Sequence, residues 1–434
     1  MTKLFSIILP FYNAEKFLKK TLSSVTTQKR DNIEIICIND NSNDKSPKIC
    51  KEFSKKYRYI KIFKNKNNMG VGKSRNRGIK MAKGKYLIFL DSDDSLFKKS
   101  LFNLQKLIFS SKEPDLIILK HKKSTNPKSN YEFLKKVNFK NKKPEKLINY
   151  IKNSDVPFAD CWFFTIRREL IKENRIFFPE TRFGESEYFV SKTLCFIKNY
   201  ECLKKDFYKK NDRLNSLNSL NNVEATISVI GNLIKFYEFI TTQKIIQLKK
   251  KFILKYVANN YGLLSALLVC RNKKELNKIK IYLARNFRLI KKFNNSKSSF
   301  IFFKVLIKFG VNKGLDNYLK NIFDIQNQKI KNLNKFKKNI YIYCNSKFVS
   351  ATSTLITKSG NKIKGIIDDS KIFRKDRSLN IKIFNILNLL KTRKKDLHNI
   401  GVIINHQKPY VSDNIRQKLL ERGLNKKQIV TIKY

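Results

Sequence analysis

Short apolar runs alternate with amphipathic segments in the first part of the chain. Leu4–Leu9 (LFSIIL), Ile33–Ile38 (IEIICI), Ile60–Phe63 and Tyr86–Leu90 (YLIFL) read as buried strands bounded by turn-forming residues. Pro10 is expected to end the first of them. Ala14–Val25 places Phe17, Leu18, Leu22 and Val25 at the spacing of one helix face. Pro47–Tyr57 has proline in the first turn of a helix, and Lys73–Ala82 reads as a helix capped by Gly84. This β-α-β-α-β-α-β order predicts an α/β fold with a parallel, doubly wound sheet. The polar loops after its first, second and fourth strands lie where such a sheet binds a nucleotide.

Further on, Asp115–Leu119 reads as a strand, Lys120–Lys143 as a polar loop and Pro144–Ile151 as a short helix. Val223 to about Phe323 is helical in pattern, with amphipathic stretches at Ile227–Ile240, Ile245–Val257 and Leu276–Leu289. Phe300–Phe309 is aromatic and basic, a face suited to packing on other helices or to an anionic leaflet. From Lys335 the α/β pattern returns. Strands are expected at Asn339–Tyr343, Ile363–Ile367, Ile381–Phe384, Ile400–Ile404 and Ile429–Ile432, with helices at Val349–Thr357 and Asp413–Arg422. The expected domains are 1–220, a helical extension 221–334, and 335–434.

Composition changes this picture little. Among 434 residues, 93 basic side chains face 34 acidic ones, a net charge of +59. An anionic partner is one reading of that excess, but the lysines are spread over the whole chain and form no arm or patch. No recognition motif accompanies them, so no nucleic-acid partner is expected. The 7 cysteines form no C-x-x-C pair and read as reduced packing residues. MTKLFSIILPFYN is too short in its apolar run for a signal peptide, and no stretch has the length to span a bilayer.

The charge excess makes one short stretch stand out. Tyr86–Leu90 ends in Asp91, Asp93 and Asp94. A buried strand would deliver these carboxylates to the edge of the sheet, where they suit a hard cation such as Mg²⁺ or Mn²⁺ and, through it, a diphosphate. The plain alternative is an Asp-rich turn or helix cap. Gly70-Val71-Gly72-Lys73-Ser74 lacks the spacing of a phosphate loop.

Taken together, SIILPFYNAEKFLKKTLSSV, IEIICINDNSND and NMGVGKSRNRGIKMAKGKYLIFLDSDD resemble the family 2 glycosyltransferases, inverting enzymes with the GT-A fold. The resemblance implies a nucleotide-diphosphate sugar donor, a glycan or lipid-linked acceptor, and Mn²⁺ or Mg²⁺. By position it places Pro10 and Tyr12 at the nucleotide pocket, Asp40 on the base, Arg75 on the nucleotide or diphosphate, Asp91 near the ribose and Asp93 on the metal. The family usually has Asp where this chain has Asn39. It places the aromatic run Asp160–Phe164 on the acceptor side, with a place in the core as the alternative for Phe163 and Phe164. Phe207–Leu217 resembles a loop that closes over the diphosphate, with Arg213, Asn215 and Ser216 as candidates. The setting it implies is cell-surface polysaccharide or lipooligosaccharide synthesis, on the cytoplasmic side, with possible peripheral contact with an anionic membrane.

Inversion needs a base to take the acceptor proton. Relatives read G-E-D-x-x-F where this chain has Gly184-Glu185-Ser186-Glu187-Tyr188-Phe189, so Ser186 stands at the base position. Glu185 or Glu187 takes over, the acceptor is activated otherwise, or the enzyme is slow or inactive. A solvated helix N-terminus is the structural alternative for both glutamates. A non-catalytic binder that keeps the nucleotide fold and recruits partners through its C-terminal domain is the alternative function. That last domain resembles the small Rossmann-like domain of sugar-modifying enzymes through Ile363–Asp369, but Cys344–Phe348 holds no glycine for a pyrophosphate. A scaffold or partner-binding role is expected for it.

Overall fold

A computed structural model describes residues 3–28, 31–111, 113–123, 144, 147, 160–181, 183–211, 223–245, 253, 268, 273–291, 306–330, 340–344, 356, 363–367, 382–384, 401–405, 415–417, 419–421, 424 and 426–431. The chain divides into two compact units, Met1–Asp212 with Lys235–Asn260, and Arg213–Ile234 with Tyr261–Tyr434.

The first unit is built on an eight-stranded sheet in the order β3-β2-β1-β4-β7-β6-β8-β5. Strands β1 (Phe5–Phe11), β2 (Ile33–Asn39), β3 (Ile60–Lys64) and β4 (Tyr86–Phe89) are parallel, as expected. Every residue of β1, β2 and β4 is buried, which is why these strands read as continuous apolar runs. Helices α1 (Glu15–Thr26), α2 (Ser46–Lys56) and α3 (Val71–Met81) connect them.

Beyond β4 the sheet is mixed. After β5 (Ser95–Leu96) and α4 (Ser100–Ser110) come β6 (Leu116–Lys123) and β7 (Phe164–Arg167), and β7 runs antiparallel to both β4 and β6. The ion pair between Asp115, entering β6, and Arg167, leaving β7, has a closest approach of 2.6 Å and fits that register. Helices α5 (Arg168–Glu173) and α6 (Glu185–Phe196) lead to β8 (Tyr200–Lys210), parallel to β6 and antiparallel to β5.

Four local expectations are corrected. Strand β1 runs through Pro10 to Phe11. The Phe11 carbonyl accepts from Asp40 N–H on the β2 side, so the missing N–H of Pro10 faces β4, whose pairing with β1 already ends at Ile8 and Phe89. Gly84 does not cap α3, whose cap is Ala82. It is needed because a Cβ there would lie 2.5 Å from the Ser6 nitrogen, and its N–H donates to Ser6 Oγ at 2.8 Å. The strand β6 continues through Lys120–Lys123, which was expected as loop, because these residues pair with Asp206–Lys210 of β8. The start of the expected closing loop, Phe207–Lys210, is strand, with Phe207 and Tyr208 fully buried.

An aromatic cluster fixes α6 against the sheet. Phe189 stacks on Phe178 at 4.0 Å, and Phe89 of β4 meets both edge-on at 5.4 Å. Truncating Phe189 to alanine would cost about 3–5 kcal/mol. In helix α7 (Val223–Thr242), Phe236 and Phe239 pack against Tyr188 and Phe196 of α6.

The second unit contains α8 (Lys273–Arg285), α9 (Phe287–Ile290) and α10 (Val311–Ile330), with Lys280 of α8 paired to Asp316 of α10 at 2.9 Å. Its parallel sheet has the order β11-β10-β9-β12-β13, from β9 (Ile340–Cys344), β10 (Ile363–Ile367), β11 (Lys382–Phe384), β12 (Gly401–Asn405) and β13 (Ile429–Thr431). The chain starts at the middle strand and works outward in both directions, a doubly wound order. Residues 345–350 and Asp368-Asp369 lie outside the described residues, as do most of Ile245–Val257, Lys120–Lys143 beyond Lys123, and Pro144–Ile151 apart from the helical Pro144 and Leu147. Within Phe300–Phe309, the described turn from Leu306 is helical, with Leu306 buried and Phe309 exposed. Among the described residues no helix is long and apolar enough to cross a membrane.

Candidate active site

The carboxyl ends of β1, β2 and β4 present two acidic turns. In the first, Asp40 follows β2 and is buried. Its Oδ1 accepts from Asn65 Nδ2 at 2.8 Å and from the Met69 N–H at 2.9 Å, while Oδ2 accepts from the Gly70 N–H at 2.8 Å. Gly70 has φ 88°, a conformation that favours glycine, so Asp40 closes a turn that starts α3. Asn39, which replaces the usual Asp, accepts the Ser42 N–H at 2.8 Å and shapes the next turn. Pro10 is buried in β1, and Tyr12, just beyond, is 46% exposed.

The second turn, Asp91–Asp94, leaves β4. Thr21 Oγ1 of α1 lies 2.9 Å from the Ser92 carbonyl and 2.7 Å from that of Asp94, which pins the turn from behind. Asp91 Oδ1 accepts from Arg75 Nη2 at 2.8 Å, and its Oδ2 lies 3.4 Å from Lys210 Nζ. Fully buried Asp94 accepts from Tyr208 Oη at 2.7 Å, Lys210 Nζ at 2.9 Å and the Asn211 N–H at 2.8 Å. The Asn211 side chain donates to the Asp93 carbonyl. Asp93 is partly exposed.

Arg75 of α3 joins this turn to the start of α6. Its Nη1 donates to Glu185 Oε1 at 3.0 Å and to Ser186 Oγ at 3.2 Å. The guanidinium lies 5.3 Å from the Phe178 ring, it is buried, and its Nε has no hydrogen-bond partner. Gly184, at φ 70°, opens α6, so Glu185 and Glu187 fall in its first turn. Glu185 is therefore more than a solvated helix end: it is drawn inward by Arg75. Ser186 is buried and its Oγ lies 3.7 Å from Cys161 Sγ.

Charge in this pocket is strongly biased. Burial opposes ionisation of Asp91, but Lys210 and Arg75 outweigh it and hold the carboxyl down at about 2. Burial, with Asp91 and Asp93 adding to it against Lys210, pushes Asp94 up to about 7. Burial also raises Glu185 despite Arg75, a shift in the direction of a stronger base. Burial would discharge Arg75 and Lys210, yet their acidic neighbours raise both and keep them charged. Burial pushes the Cys161 thiol up to about 12, so it is neutral and no nucleophile.

One oxygen from each of Asp91, Asp93 and Asp94 lies within 4.8 Å of the others. Oxygen donors at that spacing fit a hard divalent cation. Asp91 also pairs with Arg75, and Lys210 lies against both Asp91 and Asp94.

The structure thus brings Arg75, Asp91, Asp93 and Glu185 into one cluster, with Pro10, Tyr12 and Asp40 along the adjacent strand ends. Glu187 is partly exposed on the same helical turn. Arg213, Asn215 and Ser216 lie outside the described residues. Sequence reasoning passed over Lys210, Tyr208, Asn211 and the role of Asp94. The stretch FYKKN was noted only as part of a loop, because its pairing with β6 leaves no local sequence pattern. Trp162 is 4% exposed, stacked on Phe163 at 4.1 Å and on Tyr208 at 4.9 Å, so it and Phe163 form core under the acidic turn.

Residues 6–175 match the family model for Glycosyl transferase family 2. The chain is 28% identical over 218 residues to the putative glycosyltransferase EpsH of Bacillus subtilis, covering 49% of this chain and 62% of that protein. It is 41% identical over 102 residues to the minor teichoic acid biosynthesis protein GgaB of the same organism, covering 23% of this chain and 11% of GgaB. It therefore spans less than two thirds of either relative. Among solved structures, S. aureus TarS 1–349 in complex with UDP matches with a TM-score of 0.56 and 21% identity, over 73% of this chain and 89% of that one. Residues 6–175 thus carry the pattern of the family 2 glycosyltransferases, and the unit that holds them shares the GT-A fold of TarS.

Proposed function

We propose that the protein is an inverting glycosyltransferase that moves a sugar from a nucleotide-diphosphate sugar to a glycan or lipid-linked acceptor of a cell-surface polymer. The observation that carries this is the meeting of Arg75, Lys210 and the Asp91–Asp94 turn with Glu185 at the carboxyl edge of the parallel strands. The nucleotide lies along the ends of β1 and β2, near Pro10, Tyr12 and the turn held by Asp40. A divalent cation, Mn²⁺ or Mg²⁺, held by Asp93 with help from Asp91 and Asp94, would neutralise charge on the leaving diphosphate. Arg75 and Lys210 supply fixed positive charge to the same region, where burial strengthens it.

Glu185 is our candidate base. It is the acid that α6 directs to Arg75 beside buried Ser186, and burial moves it toward the pKa range of a working base. Glu187 is the alternative in the same turn. A UDP-sugar is the first donor to test, since TarS structures hold UDP and UDP-GlcNAc. The relatives' names point to teichoic acid and other surface polymers as acceptors. We read the enzyme as acting on the cytoplasmic side, in peripheral contact with an anionic membrane that carries the acceptor. We read residues 335–434 as a scaffold or partner-binding domain, and 221–334 as a helical extension.

The test is release of nucleoside diphosphate from a panel of nucleotide sugars, with and without an acceptor extract. Turnover that Asp93→Ala removes supports the reading. Metal-dependent nucleotide binding with no turnover under any acceptor would favour the non-catalytic binder that Ser186 suggests.

A further inference from the structure

Helix α4 turns an aromatic and basic row outward. Its inner side, Leu101, Leu104 and Ile108, is buried, as a helix lying on a sheet requires. On its outer side Lys99, Phe102, Lys106 and Phe109 are all exposed, at the three- and four-residue steps that put side chains in one row. Phe109 is 70% exposed and Phe102 50%, the two highest values of any large apolar side chain among the described residues. Phe102 makes contacts of its own, yet half of its surface stays open. Two such rings in one row differ from the scattered single apolar residues that any surface carries.

The charge around the row has one sign. From Phe97 to Ser111 the chain has no acidic residue, while Lys98, Lys99 and Lys106 are exposed. Lys98 and Lys99 stand at the N-terminus of α4, the positive end of the helix dipole, with no acid in the first turn. Lys99 occupies the cap position at φ 59°, where its side chain can accept no N–H. Cations at this end oppose the helix locally, and an anionic surface laid against it would relieve them.

We propose that the outer side of α4 is a membrane-contact surface: Phe102 and Phe109 enter the interface of an anionic bilayer, and Lys98, Lys99 and Lys106 lie among its phosphates. The proposal rests on the reading of a membrane-borne acceptor given above and names the face that meets the membrane. A second copy of this chain fits the row poorly, because an isologous contact would set two rows of like charge face to face. The place in the fold suits a lipid-linked acceptor. Only β5 and Phe97-Lys98-Lys99 separate Asp94 from α4, and α4 packs against β8, the strand that carries Lys210.

The experiment is sedimentation of the full-length protein with vesicles of phosphatidylcholine, alone or mixed with phosphatidylglycerol. Wild type is compared with Phe109→Ser, with Phe102→Ser plus Phe109→Ser, and with Lys98→Gln plus Lys99→Gln plus Lys106→Gln. A control removes the same charge from exposed positions of α2, Lys48→Gln plus Lys51→Gln plus Lys55→Gln. The control is needed because a chain of net charge +59 is drawn to any anionic surface. Folding of each is checked by circular dichroism. Wild type should bind the mixed vesicles. The α4 lysine variant should bind about 100-fold more weakly, from about fivefold per lysine beside the lipid. The double phenylalanine variant keeps every charge, yet should bind about tenfold or more weakly. The α2 control should lose far less than the α4 lysine variant. Phe109→Ser carries the test if the double variant does not fold. Equal binding by wild type and the phenylalanine variants, or equal losses in the α2 and α4 lysine variants, would overturn the proposal and leave only diffuse attraction of the chain's charge. A dimer that Phe109→Ser dissociates, with no vesicle binding, would overturn it in favour of a second copy. Donor turnover measured without vesicles decides the enzymatic reading separately. Turnover by a wild type that binds no vesicles would overturn the surface and keep the enzyme, whereas α4-dependent vesicle binding by a protein that turns over no donor would uphold the surface while the enzymatic reading fails.

Discussion

The two acidic turns at the carboxyl edge of the sheet spend their carboxylates differently. Asp40 is satisfied by neutral donors, two backbone N–H groups and one side-chain amide, all from the loop that starts α3. Asp91 and Asp94 are matched mainly by the charged groups Arg75 and Lys210, brought from α3 and β8. A carboxylate that closes a turn fixes the backbone around it. A carboxylate held by charged side chains can share them with a diphosphate and its cation when these arrive. The comparison predicts that the Asp40 turn is a stability element beside the nucleotide pocket and that the Asp91–Asp94 turn is the reactive element.

The largest expected effect comes from the link between the two. Arg75→Met removes the buried cation that holds Asp91 and Glu185, and should destabilise the protein by about 3–5 kcal/mol in urea unfolding. Asp40→Ala, which orphans three donors, should cost about 2–4 kcal/mol by the same assay. Its nucleotide affinity should fall through the displaced turn. Asp93→Ala should leave stability within about 1 kcal/mol, because its carboxylate is partly exposed, while donor turnover falls about 100-fold or more. Equal losses of stability in Asp40→Ala and Asp93→Ala would erase the contrast. Glu185→Ala and Glu187→Ala separate the two candidate bases: turnover with a true acceptor should fall about 100-fold for Glu185 and change little for Glu187.

The smallest effect is one of pH. Burial opposes the charge on Glu34, but Lys61, the Lys83 N–H and Ser6 outweigh it and hold its carboxyl below the usual carboxylate range. A carboxyl lowered on folding adds stability that is present above its ordinary pKa and lost as pH falls through the folded value. Acid unfolding of Glu34→Gln should accordingly show a shallower dependence below about pH 4.5 than wild type.

Much of the first unit was legible because parallel strands buried on both faces read as apolar runs, and Tyr86–Leu90 ending in three acids is such a run. The second half of the sheet was not. The strand β8, YECLKKDFYKK, has exposed lysines in its middle and matches neither an apolar run nor a clean alternation. Its pairing with β6 depends on residues far apart in sequence, which no local pattern reports. Lys210 was invisible for a related reason: in a chain with 93 basic residues, one lysine is distinguished only by the strand that carries it to Asp94. Pro10 and Gly84 misled as punctuation marks. Each in fact answers to a neighbouring strand, Pro10 to the end of β4 and Gly84 to the close approach of β1. Ser186 remained readable as a departure from the family pattern, but only the Arg75 bridge shows that Glu185 beside it enters the pocket.

The most direct measurement is nucleoside diphosphate release from a panel of nucleotide sugars, beginning with UDP-sugars, by wild type and Asp93→Ala in Mn²⁺ and in chelator. The account predicts release from one donor by wild type in Mn²⁺, and its loss both in chelator and in the folded Asp93→Ala protein. Release that survives Asp93→Ala and chelation unchanged, or a folded wild type that binds no nucleotide at all, would contradict the assignment of the Asp91–Asp94 turn as the donor site.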